Sequence, residues 1–361
     1  MRRFLFVVSA ATVFFGCLME APAAGSSGSI ASLDPAPPAP VVIDEGAYTT
    51  DRTTFRAWWS TAEIRGDEEF SYALGTTPGA SDLADWTTTS AVAAEAVVPE
   101  QSYGTVVYFS VCVRRASSEW SEPGVSDGIT VARQLSTTAE AKLLPNGEPV
   151  MFADNKPITA AFPLFCYVQD ADGSAGIRVN RSGLVEGFYG RAAGVLGDVD
   201  GERCLLQGEV IAGSPSPAVR PRAMTAKMIG GGALYYDAAT GAGQKALKAW
   251  RWVKVDEDSW ERRLLDVPGA NNTGLLIRTW GKVTSYAADS FYLDDGSGYD
   301  DTEDGSPPGV KVVVAPGIDV PSVGCYVVVT GISSTYLNDG TLRRLIRMRE
   351  PGDLQMIIEV Q

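Results

Sequence analysis

A 361-residue chain with no histidine and a formal net charge of −14 is closed to several chemistries. It has no imidazole for a Ser-His-Asp or Cys-His nucleophile, a His-ligated zinc or copper ion, or a near-neutral His base. Paired carboxylates and oxygen-ligated calcium remain open to it. The length suits two or three domains, and 45% hydrophobic with 9% aromatic content is that of a globular chain.

The N-terminus places Arg2 and Arg3 before an apolar run over 4–16, followed by Ala21-Pro22-Ala23. This is the pattern of a secretory signal over residues 1–23, too short to span a membrane, so a secreted or cell-surface protein is expected. Cys17 follows Gly16 as a lipoprotein site requires, but Phe14 and Phe15 stand where such sites prefer small residues. A lipid anchor at Cys17 is therefore the alternative to plain secretion. Loss of the signal removes two Arg and one Glu. The remaining acidic chain is repelled on average by nucleic acid and anionic membranes, although a local basic patch overrides the mean.

Residues 24–40 are Gly/Ser-rich and then Pro-rich, a linker that cannot build a core. Period-two runs follow over 41–133: Phe55, Ala57 and Trp59; Phe70, Tyr72 and Leu74; Val107, Phe109, Val111 and Val113. Separated by Gly, Pro, Asp and Ser clusters, they predict antiparallel strands with one buried face. The succession FRAWWST, FSYALGTTPG, VVYFSVCVRRASSEWSEPG resembles a fibronectin type III module of secreted bacterial proteins, with Trp59 as its core tryptophan and Trp120-Ser121 as its late turn. Val107 stands where that family has its corner tyrosine, with Tyr108 on the opposite face. Such modules space or bind and seldom catalyse.

The remainder contains a repeat. Ile158 and Tyr167 match Val283 and Tyr292; Asp170 matches Asp295; Gly176-Ile177-Arg178-Val179 matches Gly309-Val310-Lys311-Val312; Asp200-Gly201 matches Asp339-Gly340. Two copies of one β-rich unit are predicted, over 136–221 and 274–361. The pattern G-x-V, F-Y-x-x-D, G-Φ-K/R-V, V-G-x-x-V-x-V-x-G (Φ apolar) resembles tandem OB-fold barrels. The expectation is thus all-β: one fibronectin type III-like β-sandwich followed by two OB-like β-barrels. That resemblance implies a ligand face on the second and third strands, with Tyr167, Arg178, Tyr292 and Lys311 as candidates; core tyrosines and solvated cations are the competing reading.

Between the copies, 222–273 interrupts the pattern. Its glycines lack phosphate-loop spacing. Trp250, Arg251, Trp252, Lys254 and Trp260 interleave aromatics with cations in a predicted hairpin turning at Asp256-Glu257-Asp258. They either stack on sugars or bases or pack one side of the hairpin onto a barrel. In the acidic stretch DDGSGYDDTEDG, Asp294, Asp295, Asp300 and Asp301 are candidate calcium ligands. The segment lacks the full EF-hand pattern and extends a shorter turn, DADGSA, of the first copy, so a solvated loop is the default.

Cys112, Cys166, Cys204 and Cys325 form no Cys-x-x-Cys pair; in an exported chain a Cys166–Cys204 disulfide is the pairing to test first, against the leading reading that each cysteine is a small free hydrophobe. The leading functional expectation is a non-catalytic module binding a polysaccharide or protein. Extracellular nucleic-acid binding through the barrels is the alternative, and a carboxylate-dependent hydrolase the second.

Overall fold

The computed structural model describes residues 35–62, 65–116, 118–181, 189–210, 272–295, 309–338 and 343–357. As backbone alone it describes 211–212, 224–225, 232–237, 242–247, 250–254, 260–264 and 341–342. The signal segment, and the linker as far as residue 34, lie outside the described residues. Among the described residues, two short helical turns apart, every regular element is a strand, and the chain is all-β.

Val41–Asp44 (β1), Tyr48–Thr49 (β2), Thr54–Ser60 (β3), Glu69–Gly75 (β4), Ala84–Thr89 (β5), Ala93–Val97 (β6), Val106–Arg114 (β7), Gly124–Val125 (β8) and Ile129–Val131 (β9) build two sheets. Their orders are β1-β3-β6 and β2-β9-β7-β4-β5, with β8 on β7. The inward residues of both sheets share one core in which Phe55, Ala57, Trp59, Phe70, Leu74, Val107, Phe109, Val111 and Val113 are buried. Arg56 and Trp58, between the inward residues of β3, face water, as the two-residue period of a half-buried strand requires. Trp59 packs on Phe70 and Tyr72, and its indole N–H donates to the Ala91 carbonyl at 3.1 Å.

The next sheet comprises Arg133–Leu135 (β10), Pro149–Phe152 (β11), Lys156–Ala161 (β12), Cys166–Gln169 (β13), Gly176–Val179 (β14), Tyr189–Val199 (β15) and Glu202–Ala212 (β16), with a helical turn Thr138–Ala141 (α1). Pairings run β12-β13-β14-β16-β15 and return from β15 to β12. The ring is therefore closed, with β14 and β16 parallel.

Short strands Met224–Thr225 (β17), Gly232–Asp237 (β18), Ala242–Leu247 (β19), Trp250–Lys254 (β20) and Trp260–Leu264 (β21) follow. A second ring comprises Leu276–Tyr286 (β22), Ser290–Asp294 (β23), Val310–Val313 (β24), Tyr326–Asn338 (β25) and Thr341–Arg347 (β26), with Leu354–Ile357 (β27) on its edge. Its circuit is β22-β23-β24-β26-β25-β22, again with its third and fifth strands parallel.

The two rings agree in detail. The register of the first two strands breaks between Ile158 and Ala160 in one and between Val283 and Ser285 in the other. The threonine at each break, Thr159 or Thr284, donates its hydroxyl to the carbonyl of Tyr167 or Tyr292 at 3.4 Å. Asp200-Gly201 forms a two-residue hairpin loop, both residues at positive φ, the geometry such a step favours.

Candidate functional site

Strand β13 is buried on both faces. Cys166 and Val168 point into the first ring's core. Tyr167 points outward and is fully buried by Leu276 and Ile332 of the second ring, with Phe162 and Phe165 at its sides. The outer face of β12–β14 is therefore a seam between the rings. Backbones cross there: a side chain at Gly176 would strike the Gly274 carbonyl, and Gly274 has φ +84°.

Polar groups concentrate in this seam. The Tyr167 hydroxyl donates to Glu202 Oε2 at 2.7 Å, and Ser334 Oγ of the second ring lies 3.3 Å from that same oxygen. Arg347 Nε donates to Ser334 Oγ at 3.2 Å. The Arg178 guanidinium lies 3.8 Å from Glu202 Oε2 and stacks 3.9 Å over the Phe165 ring, which Arg347 also approaches at 5.7 Å. The Glu202 side chain is 1% exposed, and its Oε1 has no hydrogen-bond partner among the described residues. Desolvation pushes this carboxyl up to about 7 against the pull of Tyr167, Arg178, Arg347 and Ser334. Burial and the neighbouring Glu202 likewise raise the Tyr167 phenol well above its ordinary value.

Further bonds close the seam. Lys142 Nζ donates to the Thr273 carbonyl at 2.6 Å, and burial lowers this ammonium to about 8. The Leu276 N–H donates to Gln169 Oε1, Arg349 to the Thr159 carbonyl and Thr335 Oγ1 to the Asp200 carbonyl. Beneath the seam, within the first unit, Asp170 accepts from Thr138 and pairs with Lys156 at 2.8 Å. A carboxyl sealed in this way lacks the open approach that a substrate would need.

A different surface of the second ring is open. Along β22 the outward side chains are Arg278, Trp280 and Lys282, and those opposite on β25 are Thr330, Val328 and Tyr326. Beyond them β27 places Gln355 opposite Val328 and Ile357 opposite Tyr326. Trp280 is 38% and Tyr326 41% exposed, large values for aromatics on a sheet. Arg278 donates to Gln355 Oε1 at 2.8 Å. The two aromatics are diagonal neighbours on adjacent strands, about 7–8 Å apart between Cα atoms. Flat rings at that spacing, with Lys282 opposite Tyr326 and Arg278 and Gln355 at the margin, can hold a chain of sugar rings by stacking.

No family model matches the chain, and no curated protein does. Its function must be read from the geometry alone.

The candidates read from sequence separate into groups. Tyr167 and Arg178 come together, but in the sealed seam. Tyr292 and Lys311 are cross-strand partners, both half-buried, with Lys311 Nζ 4.9 Å over the Tyr336 ring. Trp250, Arg251, Trp252, Lys254 and Trp260 lie on the paired strands β20 and β21 as expected, the reversal falling between Lys254 and Trp260. Their side chains lie outside the described residues. Asp294 and Asp295 are half-buried at the end of β23, while Asp300 and Asp301 lie outside the described residues. Among the described residues no three carboxylate or thiol side chains converge as a metal site.

The candidate Cys166–Cys204 disulfide is not formed. Both are buried free thiols, on β13 and β16 with β14 between them, and two strand spacings of about 4.8 Å exceed the reach of a disulfide.

Sequence reasoning missed Glu202, Ser334 and Lys142, and also Trp280 and Tyr326. One signal was available: residues 157–168, PITAAFPLFCYV, are almost continuously apolar, whereas the matching 282–293, KVTSYAADSFYL, are interrupted by Lys282, Thr284, Ser285, Asp289 and Ser290. An unbroken apolar run marks a strand covered on both sides.

Proposed function

We propose that the protein is an exported, non-catalytic binding module in which a fibronectin type III-like sandwich precedes two OB-like barrels, and that its partner is a polysaccharide. The ring order of both units, with the third and fifth strands parallel, supports the barrel reading. The shared core of the two N-terminal sheets around Trp59 supports the sandwich. Export rests on the N-terminal Arg pair, apolar run and Ala-Pro-Ala. Among the described residues no helix is long and apolar enough to cross a membrane.

The observation that carries the reading is the open sheet face of Arg278, Trp280, Lys282 and Tyr326. Apolar aromatic surface rimmed by polar side chains marks a binding surface, and the acidic balance of the chain disfavours a nucleic-acid partner. The test is binding of the full chain to a glycan array and to single-stranded DNA at about 50 and about 200 mM salt. A salt-insensitive glycan signal is expected. DNA binding that weakens with salt, without any glycan signal, would move the assignment to the nucleic-acid alternative. Binding to neither, with capture by a protein surface, would leave the module but overturn the polysaccharide.

A further inference from the structure

We propose that protonation of Glu202 sets whether the two rings stay docked, making the seam between them a pH-responsive latch. This inference is independent of the polysaccharide reading and rests on where Glu202 sits. The residue opens β16 of the first ring immediately after the Asp200-Gly201 loop, and its Oε2 takes hydrogen bonds from both rings, from Tyr167 on one side and Ser334 on the other. Its other oxygen has no hydrogen-bond partner among the described residues. A neutral carboxyl tolerates that position, because its single unpaired atom costs no more than a buried dipole. A carboxylate there carries a charge with half of its hydrogen-bonding capacity unused.

The groups around it show why the balance lies near neutrality. From β13 comes the Tyr167 hydroxyl, which stays protonated and donates. Strand β14 brings Arg178, and β26 brings Arg347 by way of Ser334. Arg203 and Cys204 follow on β16 itself. The end of α1 contributes Lys142, and Asp170 follows β13. Strand β25 offers Ser334 and Thr335, neither of which titrates. The arginines offset only part of the desolvation, because the nearer guanidinium stands at 3.8 Å rather than in a bidentate pair.

Undocking would return Glu202 to water, where its ordinary value is 4.5 against about 7 in the closed seam. A group raised in the docked form favours docking at low pH and withdraws that support as pH rises through about 7. From those two values the docking constant falls roughly 50-fold between pH 5 and 7.5. Lys142, held at about 8 when docked, acts in the opposite sense only above that window. Residues 213–223 connect β16 of the first ring to β17, which pairs with β22 of the second, a length that reaches about 35 Å when extended and so lets the rings part while they stay tethered. Opening would uncover Tyr167, Arg178, Phe162 and Phe165, an aromatic and cationic face.

The test is hydrogen–deuterium exchange of the full chain at pH 5 and pH 7.5, with rates corrected for intrinsic pH dependence. Protection of the Leu276 amide, which donates across the seam to Gln169 Oε1, should fall tens of fold at the higher pH, while β4 and β7 of the N-terminal sheets keep theirs. Glu202→Gln, neutral at both values, should hold the seam protection constant. Equal seam protection at the two pH values in the unmodified chain would overturn the latch, whether or not the variant folds. A fall of the same size in Glu202→Gln would also overturn it, by assigning the transition to another group.

Discussion

Replacing Gly274 by alanine tests whether the rings truly meet backbone to backbone. Gly274 has φ +84°, and a Cβ there would lie against the carbonyl carbon and oxygen of Gly176 and the amide of Ile177. Two costs follow. A left-handed conformation costs an L-residue about 1–2 kcal/mol, and forcing a methyl into a packed backbone crossing costs about 1–3 kcal/mol more. Gly317 separates them, since it has nearly the same φ, +83°, with nothing within 4 Å of the place a methyl would occupy. Gly317→Ala should therefore lose only the conformational part, and Gly274→Ala about 1–3 kcal/mol beyond it. Urea denaturation followed by tryptophan fluorescence gives both midpoints, analysed by transition because a chain of several units need not unfold in one step. Equal losses in the two variants would refute the close crossing and with it the docked seam.

Other outcomes follow from the same geometry. Asp170→Asn leaves the buried Lys156 ammonium without its carboxylate 2.8 Å away, and should destabilise the first ring by about 3–5 kcal/mol in the same urea assay. Cys166 and Cys204 are buried thiols pushed up to about 12 by desolvation, and Cys112 to about 11. At pH 8 a thiol reagent should leave Cys166 and Cys204 untouched in the folded chain and label them in urea, and a reductant should leave the melting temperature unchanged. Glu202 also affects overall stability. Raised from 4.5 to about 7, it withdraws up to about 3 kcal/mol as pH climbs through that interval, so the unmodified chain should melt lower at pH 7.5 than at pH 5 and Glu202→Gln should lessen the difference.

Much of the fold was legible because alternation is a local signal. The inward sets Phe55, Ala57, Trp59 and Val107, Phe109, Val111, Val113 occupy the core as the period-two pattern requires. The repeat was legible for a related reason: each copy keeps the same register break after Ile158 or Val283 and the same D/G-rich turns. The fate of Tyr167 was not legible from that match. Tyr167 and Tyr292 are equivalent in sequence, yet one is sealed and the other half-buried, because docking is asymmetric and only one ring has its β12–β14 face covered. A residue such as Glu202 follows a hairpin turn, where charge ordinarily faces water, and partners remote in sequence, Tyr167 and Arg178 in its own ring and Ser334 in the second, surround it instead. The open face was missed for the complementary reason. Trp280 and Tyr326 lie 46 positions apart in the numbering, and only the β22–β25 register brings them together.

The central claim is that the open face of the second ring holds a polysaccharide, and the most direct test is a binding isotherm for Trp280→Ala with Tyr326→Ala against the strongest polysaccharide found for the unmodified chain. Neither side chain belongs to the buried core, so the double variant should lose some stability yet still fold, as a cooperative melting transition would verify. Each stacked ring contributes about 1 kcal/mol or more, so affinity should fall at least tenfold. Unchanged affinity in a folded double variant would contradict the account and place the binding surface elsewhere on the chain.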